Sequence, residues 1–200
     1  MIMITAVLAL FLLISIYGWW YRCGWEVPEF QGLSWLLASF GLQAGFYGFD
    51  WLVVWSQAHY LELLMVSQVF AFIFVYRNRH IKGALWVLLG SGCNAIVIFL
   101  NGGMPITLES AVWLYGDASL LRVGEQLGNS KDMVLMVTDM SLGFLGDRWH
   151  TPGWWPWRFV YSIGDVLVLI GVAVGVYGSL QWPVVEDGMI YDDQISIEME

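Results

Sequence analysis

The sequence predicts an all-α integral membrane protein, a bundle of five transmembrane helices with short amphipathic helices between the fourth and the fifth. Apolar residues make up 58% of the 200 residues and charged residues only 12%, whereas about a quarter of the residues of a soluble domain are charged. The mean hydropathy is +0.65. Apolar runs of the length that crosses a bilayer, roughly 20 residues, use most of the chain, so no second globular domain is expected.

The first predicted span covers about residues 2–21. Aromatic residues and Arg22 follow it, where a cleaved signal peptide would carry small residues, so we expect this span to be retained. Glycines and Asp50 interrupt the second apolar run, whose membrane part should end near Phe49. The other spans are expected at about 33–49, 60–76, 83–100 and 159–180, which makes residues 1–183 the transmembrane bundle.

The segment 101–158 between the fourth and fifth spans is too long for a simple connector. Thr107 is placed to cap a helix that ends at Tyr115, and a second helix is expected from Asp117 to Leu127. The apolar run Val134–Leu145 is broken by polar residues, so we expect it to pack against the bundle rather than to enter lipid alone. This segment should therefore form an extramembrane insertion.

Two further segments flank the fifth span. Four tryptophans within residues 149–157 suit the headgroup layer of a bilayer and predict an interfacial anchor, with an aromatic ligand platform as the alternative. Residues 184–200 carry acidic side chains without basic ones and predict a solvated tail. A docking strip for a basic partner is the alternative interpretation of the tail.

Basic residues in the short loops predict the orientation. Arg22 lies between the first two spans, and Arg77, Arg79 and Lys82 lie between the third and fourth. Short loops rich in Lys and Arg remain in the cytoplasm. The N-terminus is therefore expected outside, and the C-terminus and the acidic tail in the cytoplasm.

Polar side chains near the outer ends of the spans predict the functional site. Such groups are costly in hydrocarbon and usually face a bundle interior or a cavity. Together with two carboxylates of the insertion, they are expected to form one outward-facing acidic pocket for a small ligand or cation. The predicted pocket residues are Glu62, Asn94, Asn101, Asp139, Asp147 and Asp165, with Arg148 and Arg158 as candidate counter-ions.

Several interpretations of this pocket remain open. The residues could simply hydrogen-bond to one another and lock the insertion onto the bundle. Carboxylates that share a poorly solvated site raise one another's pKa values, so a cation or proton site and a ligand site with an acid/base pair are the functional alternatives. No triad, phosphate loop or zinc spacing supports a named reaction or cofactor, and His59 and His80 would lie at opposite ends of one span.

Three classes of function follow from these interpretations. The first is a non-catalytic membrane protein that binds a small ligand or cation. The second is a structural or accessory subunit of a larger membrane complex, and the weaker third is a membrane-embedded acid/base enzyme. The partners expected are the lipid bilayer and other membrane subunits. The net charge of −9, from 8 basic and 17 acidic residues, excludes nucleic acid as a partner.

Four ordered motifs resemble those of a known family. They are the run NAIVIFLNGGMPI from Asn94, the pair Thr138-Asp139, the run FLGD ending at Asp147, and the run SIGD ending at Asp165, with Gly171 after it. The chain resembles the bacterial membrane-protein family called domain of unknown function 5317, nearly throughout up to about Leu180. The resemblance implies a small multi-pass protein of the bacterial cytoplasmic membrane. It implies no activity, because the function of that family is not established.

The depth of the polar residues leads to one specific expectation. Asn101 should lie at the outer end of the fourth span and Asp165 about six residues into the fifth, with Asp147 closing the cluster from the insertion. A lone aspartate in hydrocarbon costs roughly 2.5–3.5 kcal/mol. Asp165 is therefore expected to turn inward and to be paired or protonated.

Overall fold

The computed structural model describes residues 2–48, 59–116, 121–127, 131–182, 184–186 and 189–191, and it is mostly helical, as predicted. The four helices of the first half agree within about two residues with the first four predicted apolar spans. The α-helices of the described residues are α1 (Ile2–Trp20), α2 (Leu33–Gly48), α3 (Tyr60–Arg77), α4 (Ala84–Asn101), α5 (Leu108–Tyr115) and α6 (Ile163–Gly178).

Short strands are also present, so the prediction of a purely α-helical chain is wrong. In two of the pairs, segments that leave different helices run side by side, and in the other two the chain pairs with a nearby part of the same segment. The pairs are β1 (Gly24–Trp25) with β6 (Leu180–Gln181), β2 (Met104–Thr107) with β3 (Asp132–Leu135), β4 (Trp149–His150) with β5 (Val160–Tyr161), and β7 (Val184–Glu186) with β8 (Met189–Tyr191). The β2–β3 pair is parallel and the others are antiparallel.

The last long helix starts later than the apolar run suggests. Val160 and Tyr161 belong to β5, and Ser162 then caps α6 by accepting a hydrogen bond from the backbone N–H of Asp165 at 3.1 Å. The Asp165 carboxylate accepts the N–H of Ser162 in return, at 3.1 Å, which completes a capping box. The expectation that Asp165 lies six residues into the helix is therefore wrong, because it is the third residue of α6.

Helices α4 and α6 pack at close backbone distance through glycines. A Cβ atom added at Gly90 would overlap the carbonyl oxygen of Gly164, and one at Gly171 would lie 2.7 Å from the carbonyl oxygen of Gly83. Small residues of this kind let two helices approach closely and gain packing contacts. The pair places the polar residue Asn94 of α4 next to the start of α6.

The helices alternate in direction between two ends. At one end, Gly24 pairs with Gln181, and the Asn78 amide binds the backbone N–H of Gln31 at 2.7 Å and its carbonyl at 2.9 Å. This basic end comprises residues 21–32, 77–83 and 179–182. At the other end, Asn101 binds the backbone of Ser141. We call the described residues between Gly102 and Ser162 the cap.

Length and hydropathy support one membrane-crossing helix among the residues that the structure describes. Only Ala84–Asn101 is both long and apolar enough by these criteria. Three further helical stretches are apolar but shorter, namely Ala9–Trp20, Leu33–Leu42 and Ile163–Gly178. The predicted bundle of five spans is thus not established by these criteria.

The cap contains the first of its two predicted helices. Thr107 accepts a hydrogen bond from the N–H of Ser110 at 3.2 Å, and Gly116 ends α5 in the left-handed conformation. The second predicted helix is wrong over residues 121–127, because Gly124 has φ +88° and its N–H donates to the carbonyl of Val134 at 2.7 Å. Residues 117–120 of that prediction lie outside the described residues.

The expected packing of the run 134–145 against the helices agrees with the structure. Val134 is fully buried in β3. Leu145 lies in a 3₁₀ turn and packs into a core with Leu64, Val97 and Met104, which joins the cap to α3 and α4. Within the predicted acidic tail, β7 and β8 pair in antiparallel fashion. Residues 183, 187–188 and 192–200 lie outside the described part of the chain, so the solvated tail stays a prediction.

Loss of the N-terminal capping residue of α5, Thr107, should measurably destabilise the region between Gly102 and Ser162. We expect Thr107→Ala to lower the free energy of unfolding by about 1 kcal/mol, because the N–H of Ser110 loses its acceptor. The thermal unfolding midpoint of the purified protein measures this change. Thr138→Ala is the control, since the Thr138 hydroxyl is exposed and bonds only its neighbour Asp139 in the described contacts. Equal midpoints for the two variants would contradict the role of Thr107.

Candidate functional site

Three polar side chains join α4 to the start of α6. The Asn94 amide donates to Asp165 Oδ1 at 3.0 Å, and the Ser162 hydroxyl donates to Asn94 Oδ1 at 2.9 Å. Asp165 Oδ2 accepts the N–H of Ser162. A side chain at Gly164 would overlap the Asn94 amide, so glycine is required for this contact. We call Asn94, Ser162 and Asp165 the polar clasp; both carboxylate oxygens of Asp165 have partners within it.

An ion pair between a buried carboxylate and a partly exposed lysine lies in the cap. Lys131 Nζ is 3.5 Å from Asp147 Oδ2, and the side chain of Asp147 is 4% exposed against 39% for Lys131. The N–H of Asp147 donates to the carbonyl of Pro105 at 3.0 Å, beside β2. A Cβ at Gly146 would lie 2.6 Å from the same carbonyl oxygen, which explains the glycine before Asp147. The pairing of β2 with β3 places Lys131, just before β3, against Asp147.

The surroundings of Asp147 favour its protonated form. Burial raises the pKa of the Asp147 carboxyl to about 6; Lys131 opposes this increase, while the charges of Asp132 and Asp165 add to it. Burial lowers the pKa of Lys131, but the carboxylates Asp147, Asp132 and Asp165 more than offset this effect and hold it above its ordinary value. The site therefore keeps a charged lysine beside a carboxyl group that is protonated at weakly acidic pH.

One oxygen of this carboxyl has spare hydrogen-bonding capacity. Asp147 Oδ1 is buried, and no partner for it is present among the described residues. Within the same residues, no group of three or more His, Cys, Asp and Glu side chains could hold a metal ion. Lys131 supplies the positive charge that neutralises part of this acidic cluster. The arrangement is chemically suited to taking up and releasing a proton.

The predicted pocket residues divide between several places. Asn94 and Asp165 touch, and Asp165 acts on the Lys131–Asp147 pair through its charge. Asn101 instead donates to the carbonyl of Ser141 at 2.8 Å and accepts its N–H at 2.9 Å, which fastens the cap to the end of α4. The other two predicted carboxylates are exposed, Glu62 in the first turn of α3 and Asp139 in a 3₁₀ turn of the cap.

The candidate counter-ions lie elsewhere as well. The Arg158 guanidinium lies 5.1 Å from the Trp113 ring centroid and donates to the Trp113 carbonyl at 3.4 Å. Arg148 is exposed and lines a cleft of about 420 Å³ with Glu109 and His150. Sequence reasoning missed Lys131, the residue that pairs with Asp147. Its signal was a solitary lysine two residues before the strand-like run Met133–Leu135.

The motif residues thus build the junction between helices and cap. The chain is a mostly helical protein whose cap of strands, turns and one helix is fastened by Asn94, Asn101 and Asp165. It belongs to the family of unknown function DUF5317, whose model matches residues 28–177. All the motif residues lie within the matched range, whereas α1 lies outside it. The comparisons with curated proteins and with solved structures give no match.

Proposed function

We propose that this protein is a non-catalytic multi-pass protein of the bacterial cytoplasmic membrane, and that α1, α2, α3, α4 and α6 are its five spans. The alternating direction of these helices supports the proposal. Large apolar side chains lie on their outer surfaces, as at Leu12, Leu37 and Phe99, with exposed fractions of 59%, 70% and 64%. Lipid would cover such surfaces without the cost of exposing them to water.

The short spans can also be accommodated. Helix α6 has 16 residues, which rise about 24 Å, against a hydrocarbon thickness of about 30 Å. Tyr161 precedes it and Trp182 follows it, so aromatic side chains stand at both ends, where they suit the interfaces of the membrane. Mismatch of a few ångströms costs little when flanking residues adapt.

The basic end is proposed to face the cytoplasm. Arg22, Arg77, Arg79 and Lys82 lie there, and short loops with such residues stay inside. The cap and Asp147 then face outward, and the tail lies in the cytoplasm.

The proposed activity is binding of a small cation in the outward-facing acidic site, and the cation that the geometry supports best is the proton. The observation that carries this proposal is the buried Asp147 carboxyl, which has one oxygen unpartnered among the described residues. Protonation near pH 6 would weaken its ion pair with Lys131. A mildly acidic exterior would thereby change the contact between two segments of the cap.

An accessory subunit of a larger membrane complex is the second candidate. Trp154 and Trp157 of the cap are 77% and 66% exposed, and Trp19 and Trp20 of α1 are 78% and 75% exposed. Exposed indoles of this kind suit either an interface with lipid headgroups or contact with another subunit. We rank an acid/base enzyme third, because both carboxylate oxygens of Asp165 already accept hydrogen bonds.

Accessibility labelling tests the proposed topology. Single cysteines at positions 22, 79 and 150, in a background without Cys23 and Cys93, are treated in intact cells with a thiol reagent that cannot cross membranes. We expect labelling at position 150 and protection at positions 22 and 79 until the cells are opened. Labelling of intact cells at 22 or 79, or protection at 150, would contradict the topology.

Purification from mild detergent separates the two candidate functions. The proton-binding protein is expected to elute as a monomer or homo-oligomer without stoichiometric partners. Stable partners that survive washing would favour the accessory subunit. Titration of the Trp fluorescence between pH 4 and 8 provides the matching test of binding, in a His150→Gln background that removes the imidazole next to Trp113. In this background, the protein with Asp147 intact should show a transition near pH 6 that Asp147→Asn lacks and Asp139→Asn retains.

A further inference from the structure

An apolar groove lies at the basic end of the helices, on a part of the molecule remote from Asp147. It runs between α1, the start of α4 and α6, and encloses about 670 Å³. Pockets of roughly 300–1,000 Å³ accommodate drug-sized ligands. Apolar side chains form most of its walls, among them Phe11, Trp25, Phe30, Val87 and Val172.

The uncharged polar groups that line the groove are already used within the protein. The Ser15 hydroxyl donates to the Phe11 carbonyl at 2.7 Å, and the Ser179 hydroxyl donates to the Gly175 carbonyl at 3.0 Å. The Asn78 amide is held between the backbones of Gln31 and Phe74. These groups therefore offer little to a polar ligand.

Lys82 is the charged residue in the lining. In the described part of the chain its ammonium makes no ion pair within 4 Å and no hydrogen bond. Its aliphatic stem lies on α6, where a side chain at Gly178 would meet the Lys82 Cβ at 3.1 Å. A ligand matched to this groove has a long apolar part and one anionic group.

We propose that the groove binds an anionic membrane phospholipid, with one acyl chain between α1 and α6 and the phosphate at Lys82. The inference rests on the proposed membrane placement, which puts the basic end at the cytoplasmic surface, where anionic headgroups attract lysine and arginine. The basic end carries four Lys and Arg residues against two glutamates, Glu26 and Glu29, so its net charge is positive.

Native mass spectrometry of the full chain, released from detergent micelles, tests the inference. The protein is mixed with phosphatidylglycerol or with phosphatidylcholine of identical acyl chains. We expect retention of one phosphatidylglycerol per chain, in clear preference to phosphatidylcholine. Lys82→Gln should weaken phosphatidylglycerol binding about fivefold, the factor for one lysine near an anionic lipid. Arg79→Gln is the matched control, because it removes the same charge from the same end, but Arg79 lies over the Tyr76 ring outside the groove. We expect it to weaken binding less than Lys82→Gln does.

A second pair of variants tests the groove without changing charge. Val172→Trp should fill the groove and abolish retention of the lipid. Val174→Trp is its control, since Val174 is exposed on the same helix but does not line the groove. Equal retention of both lipids, or equal effects of the two tryptophans, would overturn the lipid site.

The membrane placement is checked separately by washing membranes with alkaline carbonate. Retention of the wild type after washing, together with loss of lipid preference in Lys82→Gln and of binding in Val172→Trp, supports both proposals. Retention after washing without those losses overturns the lipid site alone. Release of the wild type by the wash overturns the membrane placement and the lipid site with it.

Discussion

Replacing Asp147 by asparagine is expected to remove a pH dependence of stability of about 3 kcal/mol. The pKa of Asp147 is about 6 in the folded protein, against an ordinary value of 3.8. The folded state therefore binds the proton more tightly than the unfolded state does. The contribution of this proton to stability is present at low pH, declines as the pH rises from about 4 to about 6, and is lost above that range.

Thermal unfolding of the purified protein at a series of pH values measures this effect. The wild type should lose stability between pH 4 and 6 relative to Asp147→Asn, because asparagine has a similar shape and does not titrate. Lys131 does not contribute in this window, since its pKa lies above the ordinary lysine value. Asp139→Asn, which removes an exposed carboxyl, should follow the wild type. Parallel curves for the wild type and Asp147→Asn would contradict the assignment.

Replacing Asp165 by leucine is expected to open the polar clasp. The Asn94 amide and the N–H of Ser162 would lose their acceptor in a half-buried place. A buried group without its partner costs about 1–3 kcal/mol, so the total loss of stability should be a few kcal/mol. The start of α6 should fray and the cap should loosen, which trypsin can detect by faster cleavage at Arg148 and Arg158.

Glu62→Leu is the matched control for this prediction. Glu62 is the third residue of α3, as Asp165 is of α6, but it is exposed. Its removal should cost less than about 1 kcal/mol, the usual size of a helix-dipole effect. Asp165→Asn keeps only one of the two acceptor oxygens and should therefore give an intermediate rate of cleavage. Equally fast cleavage of the Asp165→Leu and Glu62→Leu variants would show that the clasp does not hold the cap.

The long helices could be predicted because each follows a long, mainly apolar run. The first four predicted helices agree closely with the structure. The role of Thr107 as the N-cap residue of α5 also agrees, because the pattern that predicts it lies within the four residues Thr107 to Ser110. The start of α6 was misplaced because Val160 and Tyr161 continue the apolar run as a strand. The pattern Ser162 to Asp165 carries the local signature of a capping box, which could have corrected the boundary.

The ion pair of the site could not be predicted in the same way. Lys131 and Asp147 meet because both are held against β2. Strand β3, which follows Lys131, pairs with β2 in parallel, and the N–H of Asp147 donates to the carbonyl of Pro105 in β2. Parallel pairing joins segments that are distant in the sequence. The hydrophobic pattern of a short apolar run does not show which other run it pairs with. The contact of Asn94 with Asp165 was easier to predict from the sequence, because both residues are polar groups within apolar helices.

We propose that Asp147 faces outward and binds a proton near pH 6. Infrared difference spectroscopy measures the protonation of its carboxyl group in proteoliposomes whose caps face outward, as judged by protease access. We expect acidification of the outer buffer from pH 8 to pH 5 to produce a protonated-carboxyl band with a midpoint near pH 6. Asp147→Asn should lack this band, and acidification of the lumen alone should not produce it. A band that persists in Asp147→Asn, or that responds only to the lumen, would contradict the claim.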